Sequence, residues 1–175
     1  MPDFSIELAG EHFRRAYLLY VIEIRHNEDR YYYVGQTGDN KYTTARPAFR
    51  RLSGHLQDTG KSTQNQVYRY IATKILGYGE AERQEAFHEK IKQAVEGFLV
   101  GSTMRMHIYK VQPFNHPISH SDHLAIVRKV TLLEKHVIKA FTISGKSLIN
   151  KTISDPTGPC PYPRLLAQIK SEFSL

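Results

Sequence analysis

The chain has 175 residues, of which 41% are hydrophobic and 23% are charged, a composition typical of one globular domain and unlike that of a disordered chain. We find no apolar run long enough for a membrane span and no signal-peptide pattern, so we expect a cytoplasmic protein. The single cysteine, Cys160, excludes an intrachain disulfide framework and a multi-cysteine zinc site. The net charge of +7, from 24 Lys and Arg against 17 Asp and Glu, favours a polyanionic partner, the alternative being a merely basic protein.

Two aromatic and apolar runs near the N-terminus predict a β-hairpin. Residues 17–24 and 31–38 are short and rich in aromatic and β-branched side chains, and a polar, turn-prone stretch separates them. The tip is expected at residues 27–29. Tyr20 and Tyr33 then lie on neighbouring antiparallel strands, close enough to serve one site if they share a face.

The next element is a predicted helix over residues 47–56. Arg51 and His55 are four residues apart, so they lie on one face of this helix and could both reach an anion in a cleft. A solvated basic helix end is the alternative, and by itself this pattern favours it. Three apolar residues are predicted to form the buried stripe beside that face: Phe49, Leu52 and Leu56.

Periodicity predicts the remaining elements. In chain order they are helices over 67–76 and 80–99, a strand over 104–111, a long helix over 121–141 and a closing helix over 163–173.

Glu134 is the least expected residue of the long helix. The apolar face of that helix is formed by Leu124, Val127, Val130, Val137, Ile138 and Phe141. Glu134 falls near the middle of this face. An ionised carboxylate there is costly unless it meets a cation, hydrogen bonds or a metal. The pattern leaves two interpretations open, a functional carboxylate and a salt bridge to Arg51 or a nearby lysine.

The two tyrosine-containing triplets of the hairpin, Leu18-Leu19-Tyr20 and Tyr33-Val34-Gly35, resemble the motif of the GIY-YIG endonuclease superfamily. The second triplet is a near match, whereas the first keeps only its tyrosine. Superfamily members carry an arginine, often a histidine, a glutamate and an asparagine downstream. In this chain the matching residues, in the same order, are Arg51, His55, Glu134 and Asn150.

The resemblance covers roughly residues 17–56 and 104–150. It implies a single domain over 1–175 with an α+β fold, in which a small, mainly antiparallel three-stranded sheet is flanked by helices. The stretch 61–100 then reads as a helical insertion into the compact core of the fold.

The resemblance also implies metal-assisted hydrolysis of a phosphodiester. Glu134 would hold one divalent ion, Mg²⁺ or Mn²⁺, and Asn150 would orient Glu134 or a water. Arg51 would neutralise the charge that develops on the phosphate.

The resemblance assigns proton transfer to the remaining site residues. Tyr20 would help to take a proton from the attacking water, with support from a hydrogen bond of Tyr33, and His55 would bind the phosphate or assist the transfer. Because a phenol has a pKa near 10, the role of Tyr20 requires a nearby cation or the field of the metal.

The function that the resemblance implies is a DNA endonuclease of the restriction or mobile-element kind. A homodimer would suit a palindromic site, although no sequence feature indicates one. Two alternatives stay open: a nucleic-acid-binding module on the same fold that does not cut, and a structural or protein-interaction domain in which Glu134 forms a buried salt bridge.

Overall fold

The computed structural model describes residues 6–57, 65–79 and 88–175. These residues form a mixed α/β fold around a four-stranded sheet with the strand order β3-β1-β2-β4. The strands are β1 (Ala16–His26), β2 (Asp29–Gln36), β3 (Ser102–Pro113) and β4 (Ser147–Leu148). The helices are α1 (Ala48–His55), α2 (Gln66–Tyr70), α3 (His88–Val100), α4 (His120–Ile143) and α5 (Pro163–Phe173), with a 3-10 turn at Gly10–Phe13.

The predicted hairpin is confirmed as the pair β1 and β2. The two strands run antiparallel, and a two-residue loop joins them, in which Asn27 adopts a φ of 54°. Tyr20 lies opposite Gly35, and Tyr33 lies opposite Ile22. Because side chains alternate along a strand, this register places Tyr20 and Tyr33 on the same face of the sheet.

The sheet differs from the expected one in strand number and direction. The three predicted strands are present and antiparallel, but a fourth strand, β4, runs parallel to β2 and pairs with Tyr31 and Tyr32. The expectation of a three-stranded sheet is therefore wrong. A strand of two residues is too short to show the alternation from which strands are recognised.

Helices cover both faces of the sheet, which is why β1 is apolar on both sides. One face packs Tyr20, Ile22 and Ile24 against α2 and α3. The opposite face packs Leu19 and Val21 against α4 and α5. No helix within the described ranges is both long and apolar enough to cross a membrane.

Helix α1 confirms the predicted apolar stripe only in part, because Leu52 and Leu56 pack against the core while Phe49 does not. Phe49 is 37% exposed and packs its ring against Phe13. The buried residues of α1 are Ala48, Gly54 and His55. The helix thus packs His55 against the sheet beside two residues of the predicted stripe, and a solvated basic end does not describe it.

The helical stretch 61–100 is described only in part. Helix α2 continues into a π-helical turn, Ile71–Ile75, where the Leu76 N–H bonds to the Ile71 carbonyl five residues earlier at 2.9 Å. Helix α3 follows, and residues 80–87 of the predicted helix 80–99 lie outside the described ranges. That the chain is a single domain and that 61–100 is an insertion stay predictions.

Candidate active site

Tyr20 connects the side chains of the site. Its side chain is fully buried, and its hydroxyl oxygen accepts hydrogen bonds from Nε and Nη2 of Arg51 at 3.2 and 3.0 Å. The same oxygen lies 2.7 Å from Nε2 of His55, which is also fully buried. Since the oxygen already accepts from Arg51, its own proton is the one that bonds to Nε2. The ring proton of His55 is then on Nδ1.

Gly35 makes room for this arrangement. A Cβ atom at Gly35 would lie 2.3 Å from the hydroxyl oxygen of Tyr20 and 2.5 Å from its Cζ. No side chain fits there, because the Tyr20 ring lies directly against the backbone of the neighbouring strand.

Tyr33 packs beside Tyr20 on the same face. Its ring centroid lies 6.4 Å from that of Tyr20 and 4.9 Å from that of His55. The Tyr33 hydroxyl donates a hydrogen bond to Oε1 of Gln66 in α2. The structure thus brings a residue of the 61–100 stretch to the site, which sequence reasoning missed because a lone glutamine at a helix start carries no signal.

Both phenols are harder to ionise than an ordinary tyrosine. Burial raises the pKa of Tyr20 to about 12, although the charge of Arg51 opposes the shift. Burial also raises the pKa of Tyr33 well above its usual value, and the charges of Tyr20 and Glu134 add to this effect. Both groups are therefore protonated at neutral pH, whereas the role predicted for Tyr20 needs a pKa shifted in the other direction.

Glu134 is near enough to this group of residues for its charge to act on them. Its negative charge acts on Tyr20, Tyr33 and Arg51, and part of its surface stays accessible to solvent. Burial raises the pKa of its carboxyl to about 7, against the opposing charges of Arg51 and Lys135. The carboxyl makes no hydrogen bond or ion pair with any residue that the structure describes, so the alternative of a salt bridge to Arg51 is not observed.

Asn150 has a different place from the other predicted residues. Its Oδ1 accepts a hydrogen bond from the Val34 N–H, and its Nδ2 donates one to the Val34 carbonyl, both at 2.7 Å. The pairing of β4 with β2 ends at Tyr32. The Asn150 side chain therefore bonds to the edge of β2 just beyond the last residue that β4 pairs with. Asn150 thus fixes the backbone between Tyr33 and Gly35, and these bonds give no support to the predicted role of orienting Glu134.

A polar cavity of about 420 Å³ adjoins the site and includes Arg51 and Gln66 in its wall. The chain after β2 supplies further cations, Lys41 and Arg46, of which Arg46 forms a 3.1 Å ion pair with Asp39. The sequence alone did not single out Lys41 or Arg46, since a polar connection of this kind is ordinary in surface loops.

The donor set suits a magnesium-type cation. The described residues contain no group of three or more His, Cys, Asp or Glu side chains that could hold a metal ion by themselves. Mg²⁺, however, is commonly held by one or two carboxylates together with waters and substrate phosphates. Glu134 fits that mode because neither of its oxygens is engaged by the described residues.

Comparison of the chain with models of known protein families, with curated proteins and with solved structures finds no match. The residues of the site and their geometry are therefore the basis for inferring a function.

Proposed function

We propose that the chain is a metal-dependent DNA endonuclease of the GIY-YIG type that hydrolyses phosphodiester bonds. One observation carries the proposal: Tyr20, Tyr33, Arg51 and His55, far apart in sequence, are in contact, and the charge of Glu134 acts on three of them. The Glu134 carboxyl has no hydrogen bond or ion pair with the described residues. A carboxylate without a protein partner and a guanidinium that lines a polar cavity suit the charges that a phosphodiesterase must stabilise.

The polar cavity is the proposed entrance for the phosphate. Arg51 lies at the boundary between this cavity and Tyr20, so its guanidinium can exchange the phenol oxygen for a phosphate oxygen. A guanidinium is suited to this exchange because its five N–H donors lie in one plane and stay charged. Lys41 adds positive charge at the entrance, where Arg46 is paired with Asp39.

The same exchange explains how a fully buried phenol takes part. With Arg51 on the phosphate, the oxygen of Tyr20 is uncovered and accepts a proton from the attacking water. In the same step Tyr20 passes its own proton to Nε2 of His55, which already accepts that hydrogen bond. The pKa of about 12 is then no obstacle, since no free phenolate forms.

Glu134 is the proposed ligand for Mg²⁺ or Mn²⁺. The bound cation would polarise the scissile phosphate and stabilise the departing oxygen. Tyr33 and Asn150 position the strand that carries the site, through the bonds to Gln66 and Val34.

A nucleic-acid-binding module that does not cut is the second candidate. The full burial of Tyr20 and the two hydrogen bonds by which Arg51 covers its hydroxyl favour it. In that case the polar cavity binds phosphate and Arg51 never leaves the phenol.

Nicking of supercoiled plasmid separates the two candidates. We expect the wild-type protein to nick the plasmid with Mg²⁺ and not in EDTA. The nicking rate of the Glu134→Gln variant should be lower by at least about 10²-fold. Glu96→Gln is the matched control, because Glu96 is exposed on α3. Intact plasmid with retained DNA binding would favour the non-cutting module, and equal nicking by the two glutamine variants would contradict the role of Glu134.

A further inference from the structure

A second cavity of about 420 Å³ lies between α4 and the chain that surrounds β4. Among the residues that the structure describes, five lysines line it, against one acidic residue, Asp155. We call it the lysine groove. The lysines are Lys74, Lys135, Lys139, Lys146 and Lys151.

Little in the described part of the chain neutralises the lysine groove. Lys139 forms a 2.9 Å ion pair with Asp155, but both side chains are exposed, at 43% and 73%, and such pairs contribute little to stability. Lys135 donates to the neutral hydroxyl of Ser154 at 2.8 Å, and Lys74 donates to the carbonyl of Asn150. Like charges gathered in a concave surface repel one another, and a polyanion would remove that cost.

Three connections join the lysine groove to the candidate active site. The ammonium of Lys74 lies 5.5 Å from the ring centroid of Tyr70, which packs 6.3 Å from Tyr33. Asn150 lines the groove while its amide holds the backbone of Val34. Ile138, another lining residue, is one helical turn beyond Glu134 on α4. The lysine groove is therefore close to the candidate active site, within the reach of one sugar-phosphate backbone.

We infer that the lysine groove binds the sugar-phosphate backbone of the DNA substrate beside the bond that is cut. The inference rests on the proposed function for the position of the cut, but not for the binding itself. Lysine ammonium groups act as point charges on phosphates and do not read base edges as paired donors do. The groove therefore contributes affinity that depends on salt and not on sequence.

DNA binding in EDTA tests this inference without any need for cleavage. The triple variant Lys135→Ala, Lys139→Ala, Lys151→Ala removes three groove charges. We expect it to bind a DNA duplex about 10–100-fold more weakly than the wild type at moderate salt. The slope of log affinity against log salt should fall by about two to three, because each phosphate contact contributes about 0.9. Thermal unfolding checks that the variant is folded.

The matched control removes the same charge elsewhere. Lys90, Lys129 and Lys170 are exposed residues outside the lining of the groove, and we expect their triple alanine variant to bind within about threefold of the wild type. Equal losses in both triple variants would overturn the inference, because only overall charge would then matter. Binding to vesicles of anionic lipid without binding to DNA would also overturn it.

The outcomes for the groove and for the proposed function are separate. A protein that never nicks plasmid, but whose groove variant alone loses DNA affinity, refutes the endonuclease and supports the groove. A protein that nicks with Mg²⁺, and whose groove variant binds and nicks as well as the wild type, supports the endonuclease and refutes the groove.

Discussion

At the scale of single residues, the hydroxyl group of Tyr20 holds the side chains of the site together. It accepts from Arg51 and donates to His55, inside a fully buried environment where unmet hydrogen bonds are costly. The Tyr20 hydroxyl therefore contributes to stability as well as to the proposed chemistry.

The Tyr20→Phe variant should show both effects. Loss of the hydroxyl leaves the buried Nε2 of His55 without its donor, so we expect the free energy of unfolding to fall by ~1–3 kcal/mol, measured by urea denaturation. The nicking rate should fall by about 10²-fold or more. Unchanged nicking by a Tyr20→Phe protein would contradict the proton transfer through Tyr20.

The Glu134→Gln variant should differ from the wild type in a pH-dependent way. The carboxyl has a pKa of about 7 in the folded protein and an ordinary value of 4.5 when exposed. Between these pH values the folded state binds the proton and the unfolded state has lost it, so wild-type stability falls as pH rises through this range. Glutamine carries no such penalty.

Urea denaturation at about pH 4.5 and about pH 8 measures this difference. We expect Glu134→Gln to match the wild type at the lower pH and to be more stable by ~1–3 kcal/mol at the higher one. The exposed control, Glu96→Gln, should show no such dependence. A Glu134→Gln protein with the same relative stability at both pH values would contradict the burial of the carboxyl.

At the scale of elements, the close packing of β1 on β2 positions the site. The Tyr20 ring fills the space above Gly35, where a Cβ would clash at 2.3 Å. Asn150 bonds the edge of β2 one residue earlier, at Val34. Small movements of this strand would therefore move both tyrosines.

The Gly35→Ala variant should be destabilised by ~1–3 kcal/mol or more, because the added methyl must displace the buried Tyr20 ring. Gly97→Ala is the control, since a Cβ at Gly97 meets no atom within 4 Å and alanine favours the helix α3. Thermal unfolding measures the difference in stability between the two variants. Equal stability would contradict the close contact between Tyr20 and Gly35.

The elements were predictable from sequence where a long periodic pattern exists. Helix α5 was predicted with its observed bounds, Pro163–Phe173, and the strand over 104–111 corresponds to β3. The helix over 121–141 is α4, but it begins earlier because Ser119 caps it, accepting from the Asp122 N–H at 3.1 Å. Strand β4 and the contact of Phe49 with Phe13 were not predictable, since both depend on tertiary contacts and not on local pattern.

At the scale of the whole molecule, the family resemblance grouped side chains that are distant in sequence, and the structure brings Tyr20, Tyr33, Arg51 and His55 into contact. The sequence left open whether Tyr20 and Tyr33 share a face, and the register of the hairpin shows that they do. Glu134 was recognised as a charge on an apolar helix face. The contributions of Gln66 and the lysine groove were not predictable, because each joins distant segments through side chains of common types. Asn150 was found by its position in a motif, but its observed contacts give it a positioning role.

Two of the concave surfaces formed by the described residues are rich in positive charge, the polar cavity at Arg51 and the lysine groove. Under the proposed function, both would contact a substrate that carries a row of phosphates, and the reacting phosphate would lie in the cavity at Arg51.

Two adjacent arginines of α1 allow the most direct test of the proposed endonuclease. Arg51 bonds to Tyr20 in the site, whereas Arg50 is exposed. The measurement is the single-turnover rate of plasmid nicking with Mg²⁺. We predict that Arg51→Ala lowers this rate by about 10²–10³-fold and that Arg50→Ala leaves it within about threefold. Equal rates for the two variants, or a wild-type protein that does not nick, would contradict the proposal.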